Sequence, residues 1–244
     1  YLGFVIINIE VIEIILDGIF ERHRILSLII PLPLYNVLIA SFEILALLVL
    51  IACVIFLIRR NVLKIKRFLN SEMKGWPTLD ANLILIFEIL LMSAFLIMNA
   101  ADFILQKEEV EHYHSAGFFP VSSVISTLID DLPINSLIFI ERFFWWFHII
   151  GILVFLNYLV ISKHLHILLA FPNTYYANIN PKGQFNNMDS VTSEVKMMLY
   201  PNEDSFSQPS NSTTPSRFGV KDATDLTWLQ LLNSYSCTEC GRCT

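Results

Sequence analysis

Long apolar runs fill the first part of the chain, and polar residues dominate the last part. Four apolar segments, at residues 2–16, 32–58, 79–105 and 135–171, approach or exceed the roughly 20 residues that a helix needs to cross a bilayer. The first reads as the second half of a helix, and the last is long enough to project into water. The pattern predicts an all-α membrane protein with a bundle of about four transmembrane helices.

The chain turns polar after Pro172, and residues 205–216 are rich in Ser, Pro, Asn and Thr. This composition is typical of a flexible linker. The sequence therefore divides into a helical bundle over residues 1–176, a polar linker over 177–226 and a short third part over 227–244.

The overall composition agrees with a membrane protein. Of the 244 residues 55% are hydrophobic and 16% are charged, against roughly 25% charged residues in a typical soluble domain. The net charge of −6 gives no indication of nucleic-acid binding. We expect the chain to be part of a longer polypeptide, because it opens directly into an apolar run and ends just after an incomplete cysteine motif.

The charges in the loops predict an orientation. The connection between the second and third apolar segments is basic, with Arg59, Arg60, Lys64, Lys66, Arg67 and Lys74. The next connection is acidic, with Glu108, Glu109, Glu111, Asp130 and Asp131. The positive-inside rule places the basic loop in the cytoplasm, although Arg22 and Arg24 on the outer side count against this assignment. Within the outer loop, residues 121–132 lie between two prolines and predict a short interfacial helix.

Three cysteines near the end of the chain form the most specific motif. Cys237, Cys240 and Cys243 are spaced as two successive C-x-x-C steps, the opening of a ferredoxin-type run that holds a [4Fe–4S] cluster. Gly241 permits the tight backbone that such a loop needs. A structural zinc site and a thioredoxin-like pair are the alternatives, but three thiols in one tight run favour the cluster. Residues 227–244 therefore predict the beginning of a ferredoxin-like iron–sulfur domain.

Histidines in the last apolar segment predict haem ligation. His148 follows an aromatic run in mid-segment, and ionisable side chains inside a membrane are functional by default. If the segment is one helix, His166 lies on the same face about 27 Å away, while His164 points about 160° from it. This geometry suits two b-type haems near opposite membrane surfaces. An ordinary polar helix end is the alternative for His164 and His166.

Further polar residues suggest a proton path. His23, His112 and His114 lie in predicted outer loops, as surface residues or as contributors to a quinone or proton path. A further set of acids, Glu10, Glu13, Asp17, Glu43, Glu88 and Asp102, interrupts the apolar segments. A proton route to a quinone is one interpretation. Interhelical hydrogen bonding or a position near a helix end is the other, and it is favoured for Asp17 and Asp102.

Several segments together resemble the bacterial membrane-bound iron–sulfur oxidoreductases, which are similar to heterodisulfide reductase subunits fused to a cytochrome b anchor of the nitrate-reductase-gamma type. The resemblance is carried by residues 3–10, 16–19, 162–166, 181–183 and 228–243. It implies a five- or six-helix anchor with haem b and [4Fe–4S] clusters in the bacterial inner membrane. By position, the haem ligands are His148 and His166, and the cluster ligands are Cys237, Cys240 and Cys243.

The sequence thus predicts a quinone-linked oxidoreductase that passes electrons between cytoplasmic iron–sulfur clusters, haem b and menaquinone. The resemblance implies a soluble electron donor such as electron-transfer flavoprotein, and membrane lipid and a larger complex are further expected partners. Three alternatives remain at this stage: the same electron path run in reverse to reduce a disulfide, a membrane transporter using Glu10, Glu43 and Glu88, and a structural subunit.

Overall fold

Three helices have the length and apolarity to cross a membrane, within the residues that the computed structural model describes (2–181, 183, 189–200 and 220–242). They are α3 (Leu32–Asn61), α4 (Trp76–Lys107) and α6 (Ile134–Leu159). Each begins at a proline, where a fixed φ and a missing N–H cost nothing: Pro33 and Pro77 lie in the first turns of α3 and α4, and Pro133 precedes α6. These helices confirm three of the predicted spans and fit a membrane protein.

The first predicted span forms helix α1 (Leu2–Phe20), and whether it crosses the membrane stays a prediction. After it, α2 (Leu26–Ile29) leads into α3. Helix α4 packs against both α3 and α6, while α1 packs against α3. Helix α1 also approaches α6 closely at Gly18, where an added Cβ would lie 2.8 Å from the Trp145 indole.

The loop between α4 and α6 differs from the predicted interfacial helix. Only α5 (Ser122–Ser126) is helical, and it packs against α4. The Ser122 hydroxyl donates to the backbone carbonyl of Leu96 at 3.0 Å, about 16 Å inside the end of α4. The Glu43 carboxylate accepts the backbone N–H groups of Val121 and Ser122 at 2.9 and 3.1 Å. This acid on α3 therefore holds the loop inside the bundle, which explains why its carboxylate is fully buried.

The prediction of one continuous helix over residues 135–171 is wrong. Helix α6 ends at Leu159, a 3₁₀ turn follows at Lys163–Leu165, and α7 (His166–Tyr175) is a separate helix. A tertiary contact explains the break. The buried Asp80 carboxylate, near the start of α4, accepts the Tyr158 hydroxyl at 2.5 Å and the Lys163 N–H at 2.9 Å. The backbone N–H of Lys163 is thereby committed to a side chain, so the helix does not continue.

The chain forms two compact units. The first comprises Tyr1–His164 and Glu239–Thr244 and contains all the helices described so far except α7. The second, Leu165–Thr238, contains α7, α8 (Asp189–Leu199) and α9 (Trp228–Tyr235). A capping box between Thr227 and Gln230 starts α9. The predicted linker at 205–216 lies outside the described residues, and the ferredoxin-like domain stays a prediction.

Candidate functional site

A polar chamber of about 560 Å³ opens among α1, α3, α4 and α6. Its charged and imidazole-bearing lining residues are Glu10, Glu13, Asp17, Glu21, Arg22, His23, Arg24, Asp102, His112, Glu141 and Arg142. Its apolar wall includes Phe42, Phe95, Trp145 and Trp146. The volume and the mixture of an apolar wall with convergent polar groups are typical of a small-molecule site.

An ion pair between Arg24 and Asp102 forms one wall of the polar chamber. The Asp102 carboxylate accepts from Arg24 Nε at 2.9 Å and Nη2 at 2.6 Å, and from Gln106 Nε2 at 3.1 Å. Burial alone lowers the pKa of the Arg24 guanidinium, but the negative charge of Asp102 outweighs it and holds that pKa well above its ordinary value. The Arg24 charge is therefore permanent and balanced inside the protein.

His23 extends this pair toward the loop between α4 and α5. Its Nε2 lies 2.7 Å from Asp102 Oδ1, and the backbone N–H of His114 donates to its Nδ1 at 3.3 Å. Because Nδ1 accepts a hydrogen bond, Nε2 carries the proton and donates to Asp102. His112 and His114 lie beside it, with ring centroids 6.4 and 6.3 Å from that of His23. The structure thus brings together all three histidines of the predicted outer loops.

Desolvation affects two groups of this loop. It lowers the pKa of His112, and the nearby positive charge of Arg142 acts in the same direction. It raises the pKa of Tyr113, and the neighbouring Glu141 raises it further. The Tyr113 hydroxyl donates to Glu141 Oε2 at 2.9 Å. Both shifts favour the neutral form of the group concerned.

On its other side, Arg24 connects to the acids of α1. Arg24 Nη1 lies 3.4 Å from the Tyr35 hydroxyl, which in turn donates to Glu13 Oε1 at 2.7 Å. Glu10 lies one turn before Glu13 on the same face of α1 and also lines the polar chamber. A hydrogen-bonded path therefore runs from His23 through Asp102, Arg24 and Tyr35 to Glu13.

His148 is fully buried, and its ring lies beside Glu10. Its Nδ1 lies 3.1 Å from the backbone carbonyl of Leu91, and since a carbonyl only accepts, Nδ1 carries the proton. The lone pair of neutral Nε2 then faces Glu10 Oε1 at 3.7 Å, and that oxygen is buried without a hydrogen-bond partner. An imidazole oriented by a backbone carbonyl, with its other nitrogen available, is the usual arrangement of a metal-ligating histidine. With this donor set, His148 would be able to hold a haem iron through its Nε2.

His164 and His166 lie elsewhere than predicted. The broken helix removes the argument that His148 and His166 share one face, because His166 begins α7 in the second unit. His164 belongs to the 3₁₀ turn of the first unit, and its ring centroid lies 5.5 Å from that of Phe155. Haem ligation by either histidine stays a prediction.

The cysteine motif lies in the loop after α9. Glu239 and Gly241 flank Cys240 with φ values of 46° and 68°, in the left-handed region. A Cβ at Gly241 would lie 2.9 Å from the Arg67 carbonyl oxygen, which supports the predicted need for glycine. Cys243 lies outside the described residues, and among those described no three His, Cys, Asp or Glu side chains are grouped to hold a metal ion. The cluster therefore stays a prediction.

Sequence reasoning missed the central role of Arg24 and Tyr35. Arg24 looked like a loop charge in conflict with the predicted orientation, and Tyr35 like one more apolar position. An arginine eight residues before a membrane span, in a chain with many buried acids, was the available signal. Asp17 has the structural role that the sequence favoured, since its carboxylate accepts the backbone N–H groups of Arg24 and Ile25 at 3.0 and 2.7 Å.

Comparison with known proteins gives two distant relatives. The chain is 27% identical over its whole length to a protein of Bacillus subtilis described as a probable iron-sulfur-binding oxidoreductase, FadF. It is 24% identical over 69% of its length to a protein of Syntrophomonas wolfei described as an EtfAB:quinone oxidoreductase. The chain spans 30% and 20% of the length of these relatives. No family model and no solved structure matches it.

Proposed function

We propose that this chain is the membrane part of an iron–sulfur oxidoreductase that transfers electrons between a [4Fe–4S] cluster, haem b and a membrane quinone, menaquinone by preference. The observation that carries the proposal is the position of Glu10, which lines the polar chamber and faces the buried Nε2 of His148. The two relatives, one described as iron-sulfur-binding and the other as a quinone oxidoreductase, support the same function.

In this proposal the quinone head group occupies the polar chamber. Reduction of a quinone to a quinol takes up two electrons and two protons, so its site needs hydrogen-bond donors and a proton supply. The permanently charged guanidinium group of Arg24 donates a hydrogen bond toward a quinone carbonyl. Glu13 is the proton donor, and the path through Tyr35, Arg24 and Asp102 holds its geometry, while Trp145 and Phe95 provide an apolar wall for the ring.

His148 would hold the haem, and Cys237, Cys240 and Cys243 would hold the cluster, with His164 and His166 as further candidate haem ligands. Bound haem and cluster would supply one-electron transfer. The chain's own contribution is to orient the His148 imidazole through Leu91 and to exclude water from it. The electron donor would be a soluble flavoprotein such as electron-transfer flavoprotein, on the cytoplasmic side of a bacterial inner membrane. Because Arg24 is paired with Asp102, its charge no longer counts fully against this orientation.

A reduced-minus-oxidised optical spectrum of the full-length protein tests the haem. A b-type α-band that is lost or halved in His148→Ala, with the iron–sulfur signal retained, is the expected result. A wild-type protein without this band would refute haem binding. A variant with an undiminished band would remove His148 as a ligand.

Reduction of a soluble menaquinone analogue tests the polar chamber separately. Glu13→Gln should lower the rate by about a hundredfold, the scale of general-acid catalysis. Glu111→Gln, which removes an exposed acid outside the chamber, should leave it unchanged. Equal rates in both variants would exclude Glu13 as the proton donor, whatever the haem spectrum shows.

A further inference from the structure

A second, smaller pocket of about 260 Å³ lies at the other end of the first unit. Its polar lining is basic throughout, with Arg59, Arg60, Arg67, Lys163 and His164. Its floor is apolar and includes Phe56, Phe68 and Leu85. None of its lining residues, all of them within the described part of the chain, is acidic. We refer to it as the basic pocket.

Two guanidinium groups converge in the basic pocket, whose described lining places no acidic side chain between them. The Arg60 and Arg67 guanidinium carbons lie 4.6 and 4.7 Å from the centroid of one ring, that of Phe68. Arg60 Nε and Nη2 and Arg67 Nε are buried and have no hydrogen-bond partner. A buried charged donor without a hydrogen-bond acceptor loses its hydration and destabilises the folded protein. Two adjacent positive charges also repel each other. The geometry calls for an anion with several acceptor oxygens.

Other roles of these cations leave that need unmet. Basic residues in the last turn of α3 interact favourably with the helix dipole, which accounts for the presence of Arg59 and Arg60 there. Lys163 Nζ donates to the Pro77 carbonyl at 2.8 Å and lies 3.4 Å from Glu239 Oε2. Neither role uses the buried N–H groups of Arg60 and Arg67.

The position of the pocket indicates the source of the anion. It lies at the C-terminal end of α3 and the first turns of α4, where the apolar spans give way to polar loops. This is the level of lipid headgroups, and basic pockets between membrane helices bind anionic headgroups. The volume is below the range for larger organic ligands but suits a headgroup phosphate. We propose that the basic pocket binds the phosphate of an anionic phospholipid, with Arg60 and Arg67 donating to its oxygens.

Lipid retention by the full-length protein tests this proposal. The protein is extracted in detergent and washed, and the phospholipid that remains bound is measured by native mass spectrometry. Wild-type protein should retain about one phosphatidylglycerol or cardiolipin per chain. Arg60→Gln with Arg67→Gln should lose it. Lys66→Gln with Lys74→Gln removes the same charge from exposed residues of the same loop outside the pocket, and should retain it.

Equal retention in both double variants, or equal loss from both, would overturn the proposal, because binding would then not depend on the pocket. Thermal unfolding distinguishes the sources of the phosphate: phosphatidylglycerol should raise the melting temperature of wild type, while phosphatidylcholine and inorganic phosphate should not. An equal rise with inorganic phosphate would overturn the lipid assignment. Loss of the haem band in the arginine double variant without loss of lipid would assign these arginines to the haem carboxylates instead. Far-UV circular dichroism and a monodisperse elution profile show that each variant folds.

Discussion

Removal of the Asp102 charge tests the ion pair at the wall of the polar chamber. In Asp102→Asn the carboxylate that accepts from Arg24 Nε and Nη2, from His23 and from Gln106 becomes a neutral amide. Arg24 stays protonated in this variant, because a guanidinium group keeps its proton at neutral pH even without a neighbouring carboxylate. The variant therefore buries an uncompensated cation, which costs about 3–5 kcal/mol of unfolding free energy.

A double-mutant cycle isolates the pair itself. Its single variants are Arg24→Met and Asp102→Leu. Each should destabilise strongly by itself, since it leaves the charge of the other residue buried and unpaired. Arg24→Met with Asp102→Leu removes both charges, and buried pairs replaced by apolar residues often lose little stability. Each single effect should therefore exceed the effect of the double variant by about 2–3 kcal/mol.

Reversible unfolding in mixed micelles, followed by helical circular dichroism, measures these differences. Glu108→Gln, an exposed acid at the end of α4, serves as the control and should change stability by less than about 0.5 kcal/mol. Single variants that each cost under about 1 kcal/mol, or effects that simply add, would refute the reasoning that Arg24 and Asp102 form a desolvated pair.

Three further predictions concern the loop, the helix break and pH. Gly241→Ala should lower the iron content and the melting temperature, because the added Cβ would meet the Arg67 carbonyl oxygen. Gly75 also has a positive φ but faces open space, so Gly75→Ala should lose only about 1 kcal/mol of stability and no iron. Asp80→Ala should cost about 2–3 kcal/mol in micelle unfolding by leaving the Lys163 N–H without its acceptor, and Tyr158→Phe only about 1 kcal/mol; equal losses would contradict this account. His112 has a lowered pKa in the folded protein, so it does not reduce the stability at a pH above its unfolded pKa of about 6.5. As the pH drops from that value toward the folded pKa, the unfolded state binds more protons and the stability falls. His112→Asn should reduce this slope of melting temperature against pH, and an unchanged slope would exclude His112 as its source.

The membrane-spanning helices were predictable because local composition decides them. A run of about 20 apolar residues has to satisfy its backbone hydrogen bonds internally in lipid, and a helix does so with its own residues. Residues 32–58 and 79–105 therefore predicted α3 and α4 to within a few positions. The same rule failed after Leu159, because the apolar run continues there while Asp80, from a distant part of the chain, takes the backbone N–H of Lys163.

The candidate site was predictable by residue type but not by arrangement. Burial of Glu10, Glu13 and His148 follows from their places within apolar segments, and charges in such places are functional candidates. Their neighbours do not follow from spacing. Arg24 meets Asp102 and Tyr35 meets Glu13 because separate helices pack together, and periodicity along one helix contains no information on that packing.

The sequence by itself determined the helical membrane character of the chain, the acids and histidine buried in the bundle and the cysteine motif with its glycine. Each of these depends on the chemistry of a short segment. Only the tertiary structure decided that the loop between α4 and α6 enters the bundle on Glu43, that His23, Asp102 and Arg24 share one network, and that Arg60 and Arg67 meet at Phe68. These contacts join residues far apart in the chain, and their energy depends on desolvation, which exists only once the helices have packed.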